Sequence, residues 1–437
     1  MKPFCVVAPC LLALSVVCFA QTEPPPVVST QPALAPLSVD EAVAEALQAN
    51  PEIQASARRL SLAQLKTATA RSIDDPLLMV RDWDTPLRKP WDLNQAQAMF
   101  SMQQTFLSKE KKDVRAKVAG DDVEVAAGDL ESLRQAVAAD VRKACADLKR
   151  NADEMKLHDR QAALLKEALA AELAQYATGK LAQADVLRAQ MAMTRLSEHL
   201  IELEEERDEA RAELNSLLGR QPDEPVEIEG GYAVPVELPA TEELERLAFD
   251  HRPELAALRK LIAKSQDQGQ ATRLAMKPDF TVALGYMLMP AGSPSRNAYM
   301  AELTMNLPWL NRDRHDGEAR QADAATAVAQ AELDARASAV FLEVRQAQIA
   351  ILSAEKRVKV YRDTLLPQAG AAFKASTAAY ENNRVEFGAL IDSQNLLLDI
   401  QTAYYKASSA ADAGIAQLER ATGASIAAQS GTERTNQ

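Results

Sequence analysis

The stretch Phe280-Thr281-Val282-Ala283-Leu284-Gly285-Tyr286-Met287-Leu288 changes character at every second residue. Phe280, Val282, Leu284, Tyr286 and Leu288 fall on one side of an extended chain, and Thr281, Ala283, Gly285 and Met287 on the other. A period of two is the mark of a β-strand with two unlike faces. After the polar loop from Pro290 to Ala298 the alternation resumes, with Tyr299, Ala301, Leu303, Met305 and Leu307 opposing Met300, Glu302, Thr304 and Asn306. A noisier pair precedes it in the first half of the chain. There Ala98, Phe100, Met102 and Phe106 alternate with Ser101, Gln103 and Thr105, whereas Leu77 to Trp83 is interrupted by Arg81 and Asp82. Strands of about 9–11 residues match the length that crosses a bilayer at a tilt. Trp83, Trp91 and Trp309 all lie in or beside these segments, where an interfacial aromatic belt would stand.

Four such strands cannot close on themselves, since the smallest membrane barrels have about 8. Open strand edges are not viable in lipid. Either several copies of the chain share one barrel, or the strands form a small water-exposed sheet that caps a helical bundle. Two, three or four copies would supply about 8, 12 or 16 strands, and only the larger numbers leave an aqueous lumen.

Outside the strands the period is that of helices. Ala, Leu, Glu, Gln, Arg and Lys dominate the 437 residues, and Gly and aromatics are scarce. That mixture favours long helices and coiled coils. The sequence also repeats itself at a spacing of roughly 200 residues, far above solenoid periods. Asn50-Pro51-Glu52-Ile53 answers Arg252-Pro253-Glu254-Leu255, and Asp75-Pro76 answers Lys277-Pro278. Tyr176-Ala177-Thr178-Gly179 answers Tyr380-Glu381-Asn382-Asn383, and Leu218-Gly219 answers Thr422-Gly423.

Each half, 38–220 and 241–423, is expected to run through an opening helix, two strands, a very long helix and a return helix, with 221–240 as linker. The opening helices are read as Ser38 to Ile73 and Thr241 to Met276, and the long ones as Ser108 to Tyr176 and Asn311 to Tyr380. The return helices are Leu181 to Leu218 and Val385 to Ala421. Their apolar residues follow a heptad spacing: Val186, Ala189, Met193, Leu196, Leu200 and Leu203 at steps of three and four in the first, Leu390, Leu397, Ile400, Tyr404 and Ala407 at steps of seven, three and four in the second. A long helix of about 69 residues spans roughly 100 Å; a return helix and an opening helix end to end cover ~57 Å plus ~54 Å. These lengths match a tube wall of continuous and interrupted helices side by side.

The N-terminus reads as an address. Lys2 precedes an apolar run from Phe4 to Phe19, and Cys18-Phe19-Ala20 suits secretory cleavage after Ala20, giving a signal peptide over 1–20. A lipidated Cys18 fits less well, because Val17 before it suits a lipobox poorly. Pro-rich residues 21–37 read as an extended tether and 424–437 as a disordered tail. Cys5, Cys10 and Cys18 fall in the leader, leaving Cys145 alone and no internal disulfide.

The doubled openings Asn50-Pro51-Glu52 and Arg252-Pro253-Glu254, the run Tyr176-Ala177-Thr178-Gly179-Lys180 into Asp185-Val186-Leu187-Arg188-Ala189-Gln190, and the close Leu217-Leu218-Gly219 together resemble the TolC-like outer-membrane efflux protein family over nearly the whole chain. The resemblance implies a mainly α fold with a small β part: a long periplasmic α-helical coiled-coil barrel and a membrane β-barrel shared by a homotrimer. It implies a Gram-negative outer-membrane location with most of the mass in the periplasm. It also implies a periplasmic adaptor protein and an inner-membrane transporter as partners, and passage of substrates outward through a tripartite efflux or secretion pump. By the same resemblance Asp392, and Asp185 at the corresponding place in the first half, are candidates for the pore constriction. A second acidic position of that motif is Ala389 here, which weakens a double ring. The tips Thr178, Gly179, Lys180 and Leu181, with Asn382, Asn383, Arg384 and Val385, are candidates for adaptor docking.

The residues point to no chemistry of transformation. His158, His199, His251 and His315 are scattered over separate helices without metal-ligand spacing, and no Gly-rich phosphate loop or nucleophile elbow is present. No cofactor is implied. Met287, Met289, Met300 and Met305 suit packing better than soft-metal binding. A net charge of −13 argues against a nucleic-acid partner. Two other classes compete with the channel. A periplasmic adaptor would carry one hairpin between β-rich domains, and a soluble coiled-coil scaffold would need no detergent.

Overall fold

The computed structural model describes residues 36–83, 97–178, 183–232, 238–382 and 384–426. The first element is a two-residue strand β1 (Leu37–Ser38), so the end of the expected tether is held in a sheet. Helix α1 (Val39–Ala49) starts from Ser38, whose hydroxyl accepts from the Glu41 amide at 3.3 Å while the Glu41 carboxylate accepts from the Ser38 amide at 2.9 Å. This reciprocal cap satisfies two of the backbone donors that every helix start leaves open.

The single opening helix expected from Ser38 to Ile73 is in fact two. Helix α1 ends at Ala49 and α2 (Pro51–Ala70) begins at a proline. A residue before proline is driven out of the helical region, and Asn50 sits at φ −58°, ψ 125°. Its side chain then caps α2 by accepting from the amides of Glu52 (2.9 Å) and Ile53 (3.2 Å). Strands β2 (Leu77–Trp83) and β3 (Gln97–Phe106) follow, β2 being shorter than the expected bilayer length over its described residues. Helix α3 (Lys109–Ala177) runs 69 residues unbroken, about 100 Å of rise. Helix α4 (Gln183–Leu218) returns beside it.

The linker contributes strand β4 (Ile228–Glu229), parallel to β1 with Leu37 opposite Ile228. The order then repeats. Helix α5 (Thr241–His251) stops at Arg252, α6 (Pro253–Leu274) restarts at proline, and the expected helix from Thr241 to Met276 is broken for the same reason as its counterpart. Strands β5 (Phe280–Leu288) and β6 (Asn297–Met305) lead through a 3-10 turn (Pro308–Asn311) into α7 (Arg312–Val360). The second long helix, unlike the first, is interrupted: a π turn over Tyr361–Leu365 precedes α8 (Leu366–Glu381). Pro367 has no N–H to reach the carbonyl one turn back, and a wider turn absorbs its ring. Helix α9 (Phe387–Thr422) closes the second half.

Apolar burial is distributed among three centres. Ala42, Val43 and Ala46 of α1 and Ile53 of α2 pack with Leu130, Val137, Val141 and Leu148 of α3 and Leu214 and Leu218 of α4. Leu244 and Ala248 of α5 and Leu255 of α6 pack with Val340, Val344 and Ile351 of α7 and Leu418 of α9. Burying each branched side chain contributes about 1.5–3 kcal/mol. The expected loose tail is anchored at its start, because Ile426 is buried in this second centre. The third centre joins the halves at the hairpin end, where Leu165, Ala189, Leu196, Phe387 and Leu390 meet.

Candidate functional site

The four long strands form one antiparallel sheet in the order β2-β3-β5-β6. Its register aligns the two faces read from the sequence. Val80, Phe100, Tyr286 and Tyr299 stand opposite one another across all four strands, and so do Leu78, Met102, Leu284 and Ala301. This apolar face points outward: Leu284 is 63% exposed and Tyr299 89%. The other face carries the row Gln103, Ala283 and Glu302 and the row Thr105, Thr281 and Thr304, with the Thr105 and Thr281 hydroxyls 2.9 Å apart. Ser101 and Ala283 on this side are buried. At Gly285 an added Cβ would lie 3.0 Å from the Ser101 Cβ and 3.1 Å from the Phe100 carbonyl oxygen, so a side chain there would force β3 and β5 apart. The two faces therefore differ: one is apolar and exposed, the other mixes these polar residues with Leu77, Met79, Met99, Met287 and Met300. Among the described residues, the outer strands β2 and β6 pair on one side only and leave a row of backbone donors and acceptors open on the other.

The sheet is tied firmly to the helices. The Lys111 ammonium in the first turn of α3 donates to the Asp279 carboxylate at 2.8 Å and to the Lys277 carbonyl at 2.7 Å, at the entry of β5. The Asp279 amide donates to the Asn306 side chain, just past β6, at 2.6 Å.

At the other end of the helices two hairpins meet. Asn382 caps α8 by donating to the Ala378 carbonyl at 2.7 Å, and the Arg384 amide donates to the Ala379 carbonyl at 2.8 Å. The Tyr380 hydroxyl donates to the buried Glu172 carboxylate, and its ring lies 5.9 Å from that of Phe387. Asp392 is exposed on α9 and lines a cavity of about 550 Å³ together with Arg188 and Arg195 of α4. Asp185 stands in the first turn of α4. Of the expected docking residues, Thr178, Asn382 and Arg384 are exposed at the turns and Val385 is half-buried; Gly179, Lys180, Leu181 and Asn383 lie outside the described residues. Trp83 ends the described part of β2 opposite Gln97, Trp309 is half-exposed in the 3-10 turn after β6, and Trp91 lies outside the described residues.

Two of the histidines, on separate helices as expected, meet in the fold: His158 of α3 and His199 of α4 stack edge to face with ring centroids 4.4 Å apart. The signal was present, since Asn151, His158 and Leu165 continue the α3 seam at steps of seven. Spacing along one helix does not reveal a partner on another. Among the described residues no set of three or more His, Cys, Asp or Glu is placed to hold a metal ion, and no helix is long and apolar enough to cross a membrane.

Two ionic clusters brace the helix walls. Arg252, almost fully buried, pairs with Glu343 at 2.7 Å and Glu254 at 3.3 Å, and Arg336 pairs with both carboxylates. Burial pushes the Glu254 carboxyl up, but Arg336, Arg252 and the Ser132 hydroxyl outweigh it and hold the group below its ordinary value. Between α3 and α6, Asp121 has its pKa raised to about 6, first by burial and then by hydrogen bonding and repulsion from Asp267, against the pull of Lys117 and Lys260.

No protein-family model matches the chain. It is 24% identical over 372 residues to the cobalt-zinc-cadmium resistance protein CzcC of Cupriavidus metallidurans, covering 85% of this chain and 86% of that protein. The outer-membrane channel OprN superposes with a TM-score of 0.73 at 17% identity, covering 89% of this chain and 90% of that one. VceC, an outer membrane protein of Vibrio cholerae, superposes with a TM-score of 0.72 at 17% identity over 89% and 96% of the two chains. With a duplicated order of helices and strands and these superpositions, the chain has the fold of the TolC-like outer-membrane channels.

Proposed function

We propose that the chain is one subunit of an outer-membrane channel in a tripartite efflux pump, conducting its cargo passively outward. The observation that carries this reading is the sheet: an exposed apolar face backed by one that carries rows of Gln103, Thr281 and Glu302, with both edges open among the described residues. Three copies would join β2 of one to β6 of the next and close a barrel of about 12 strands, removing every edge. The polar rows of Gln103, Thr281 and Glu302 would then face the lumen. Trp83, Trp91 and Trp309 would sit at the membrane boundary, and α3, α4, α7 and α9 would form the wall of a periplasmic duct. Residues 1–20 would direct export and 21–37 would lead to the first repeat, 38–220, joined through 221–240 to the second, 241–423.

On this reading Asp392, with Asp185 in the companion hairpin, lines the periplasmic constriction, and a ring of three carboxylates there favours cations. The turns at Thr178 to Leu181 and Asn382 to Val385 form the docking surface for a periplasmic adaptor that links the channel to an inner-membrane transporter. Divalent metal ions are the first cargo class to test, because the relative CzcC is named for cobalt, zinc and cadmium resistance.

The test is reconstitution of the detergent-extracted protein into planar bilayers. Heat-sensitive trimers, discrete conductance steps and a cation preference that weakens in Asp392→Ala support the reading. A water-soluble monomer without conductance overturns it, and unchanged ion preference in Asp392→Ala removes the constriction from Asp392 alone.

A further inference from the structure

Along α3 the buried positions advance in steps of three and four, and their chemistry changes part-way. Val137, Val141, Ala144 and Leu148 are apolar; Asn151, Glu154, His158, Gln161 and Glu172 are not. Most of these polar groups find a partner across the seam. Asn151 donates to the Leu203 carbonyl of α4 at 3.0 Å, Gln161 donates to the Asn395 side chain of α9 at 3.3 Å, and Glu172 accepts from the Tyr380 hydroxyl of α8, while Glu154 receives Arg150 of its own helix at 3.1 Å. His158 is the exception. It is 3% exposed, and neither ring nitrogen has a hydrogen-bond partner among the described residues. Its neighbour His199 is more open and has its Nδ1 3.0 Å from the Glu202 carboxylate.

The charges around His158 come from three helices. Glu154 and Asp159 lie on α3 itself; Arg188, Arg195 and His199 share the adjoining cavity with His158 from α4, Glu202 being paired to His199; Asp392, Asp399 and Lys406 line that cavity from α9. The cavity of about 550 Å³ gives an imidazolium room to turn toward water and the α9 carboxylates.

We propose that the His158–His199 pair is an acid-sensitive latch that holds the hairpin half of α3 against α4 and α9 while His158 is neutral and releases it when His158 is protonated. A neutral imidazole stacks in this niche at little cost, whereas a buried cation without an acceptor must leave it. Burial, then repulsion from His199 and Lys406, lowers the His158 pKa from 6.5 to about 4, with Asp159 pulling the other way. A group whose closed-state pKa is depressed stabilises the closed state above its open-state value and loses that stabilisation as pH falls toward the closed-state value. The window for release is therefore below about pH 6.5 and above about 4. At pH 5 the open population rises roughly 30-fold relative to pH 7.5.

Hydrogen exchange on the full-length detergent-solubilised protein, corrected for intrinsic pH dependence, reads this directly. Segments 151–165 and 195–206 are expected to lose protection by roughly 30-fold at pH 5.0 against pH 7.5, while α1 and α5 keep theirs. His158→Gln and His158→Phe, one polar and one apolar neutral replacement, are each expected to flatten that response. Equal protection at both pH values in the unsubstituted protein, the same acid response in both variants, or loosening spread evenly over all helices would each overturn the latch.

Discussion

The side-chain amide of Asn50 donates a 2.9 Å hydrogen bond to the carbonyl oxygen of Leu217, joining the break in the opening helix to the last turn of the return helix. In the second half Arg252 does the same for Ala421, at 3.2 Å. Each return helix then ends at a glycine in the left-handed region, Gly219 at φ 71° and Gly423 at φ 70°. Each glycine packs on the residue just before the break: added Cβ atoms would lie 2.8 Å from the Ala49 carbonyl oxygen and 2.7 Å from that of His251. The two halves thus close with the same device, using different side chains for the same bond.

Gly423→Ala is expected to destabilise the fold by about 1–3 kcal/mol, because a left-handed backbone and a backbone oxygen both oppose a methyl group there. A chemical denaturation midpoint in detergent measures it. Gly317→Ala, at a helical glycine whose Cβ meets nothing, is expected to shift the midpoint the other way, by about 0.5–1 kcal/mol of stabilisation.

Leu284→Arg places a charge on the exposed apolar face of the sheet, at a cost of about 2–4 kcal/mol near the bilayer midplane. Glu302→Arg places one on the polar face. Under the proposed topology the first variant fails to reach the outer membrane as a heat-sensitive trimer. The second assembles and shifts conductance toward anions. Equal assembly of both would assign the sheet to water.

Asp121 carries a pKa raised to about 6, above its unfolded value of 3.8. Its ionised form is therefore a burden on the fold at neutral pH that is relieved as pH falls through about 6. Asp121→Asn is expected to raise the melting temperature at pH 7.5 relative to the unsubstituted protein, and that difference should shrink toward pH 5. A difference constant with pH would place the effect elsewhere.

Cys145 is fully buried among the α1, α3 and α4 side chains, and burial alone pushes its thiol up to about 12. With Cys5, Cys10 and Cys18 replaced by serine, a maleimide should leave the folded protein unlabelled at pH 7.5 and modify it at one site after unfolding. Rapid labelling of the folded protein would contradict the packing of α3 on α1 and α4.

Much of the fold was legible because it rests on local periodicity. The alternation of Phe280 to Leu288 became β5 at the expected bounds, and the 69 residues of α3 appear within one residue of the expected ends. The seam residues Val186, Ala189, Leu196 and Leu203 are buried. The breaks at Asn50 and Arg252 were missed where the sequence had flagged them: a proline can start a helix as well as sit in one, and periodicity continues across either. The π turn before Pro367 has the same origin.

The sequence by itself determined the class of element at nearly every position, the doubled order and the two-faced strands, since each depends on side chains a few residues apart. The pairing of β3 with β5, of Leu37 with Ile228 and of His158 with His199 was settled only in three dimensions. Those partners are separated by tens to hundreds of residues, and their meeting depends on the register of whole helices and strands, which no local pattern encodes.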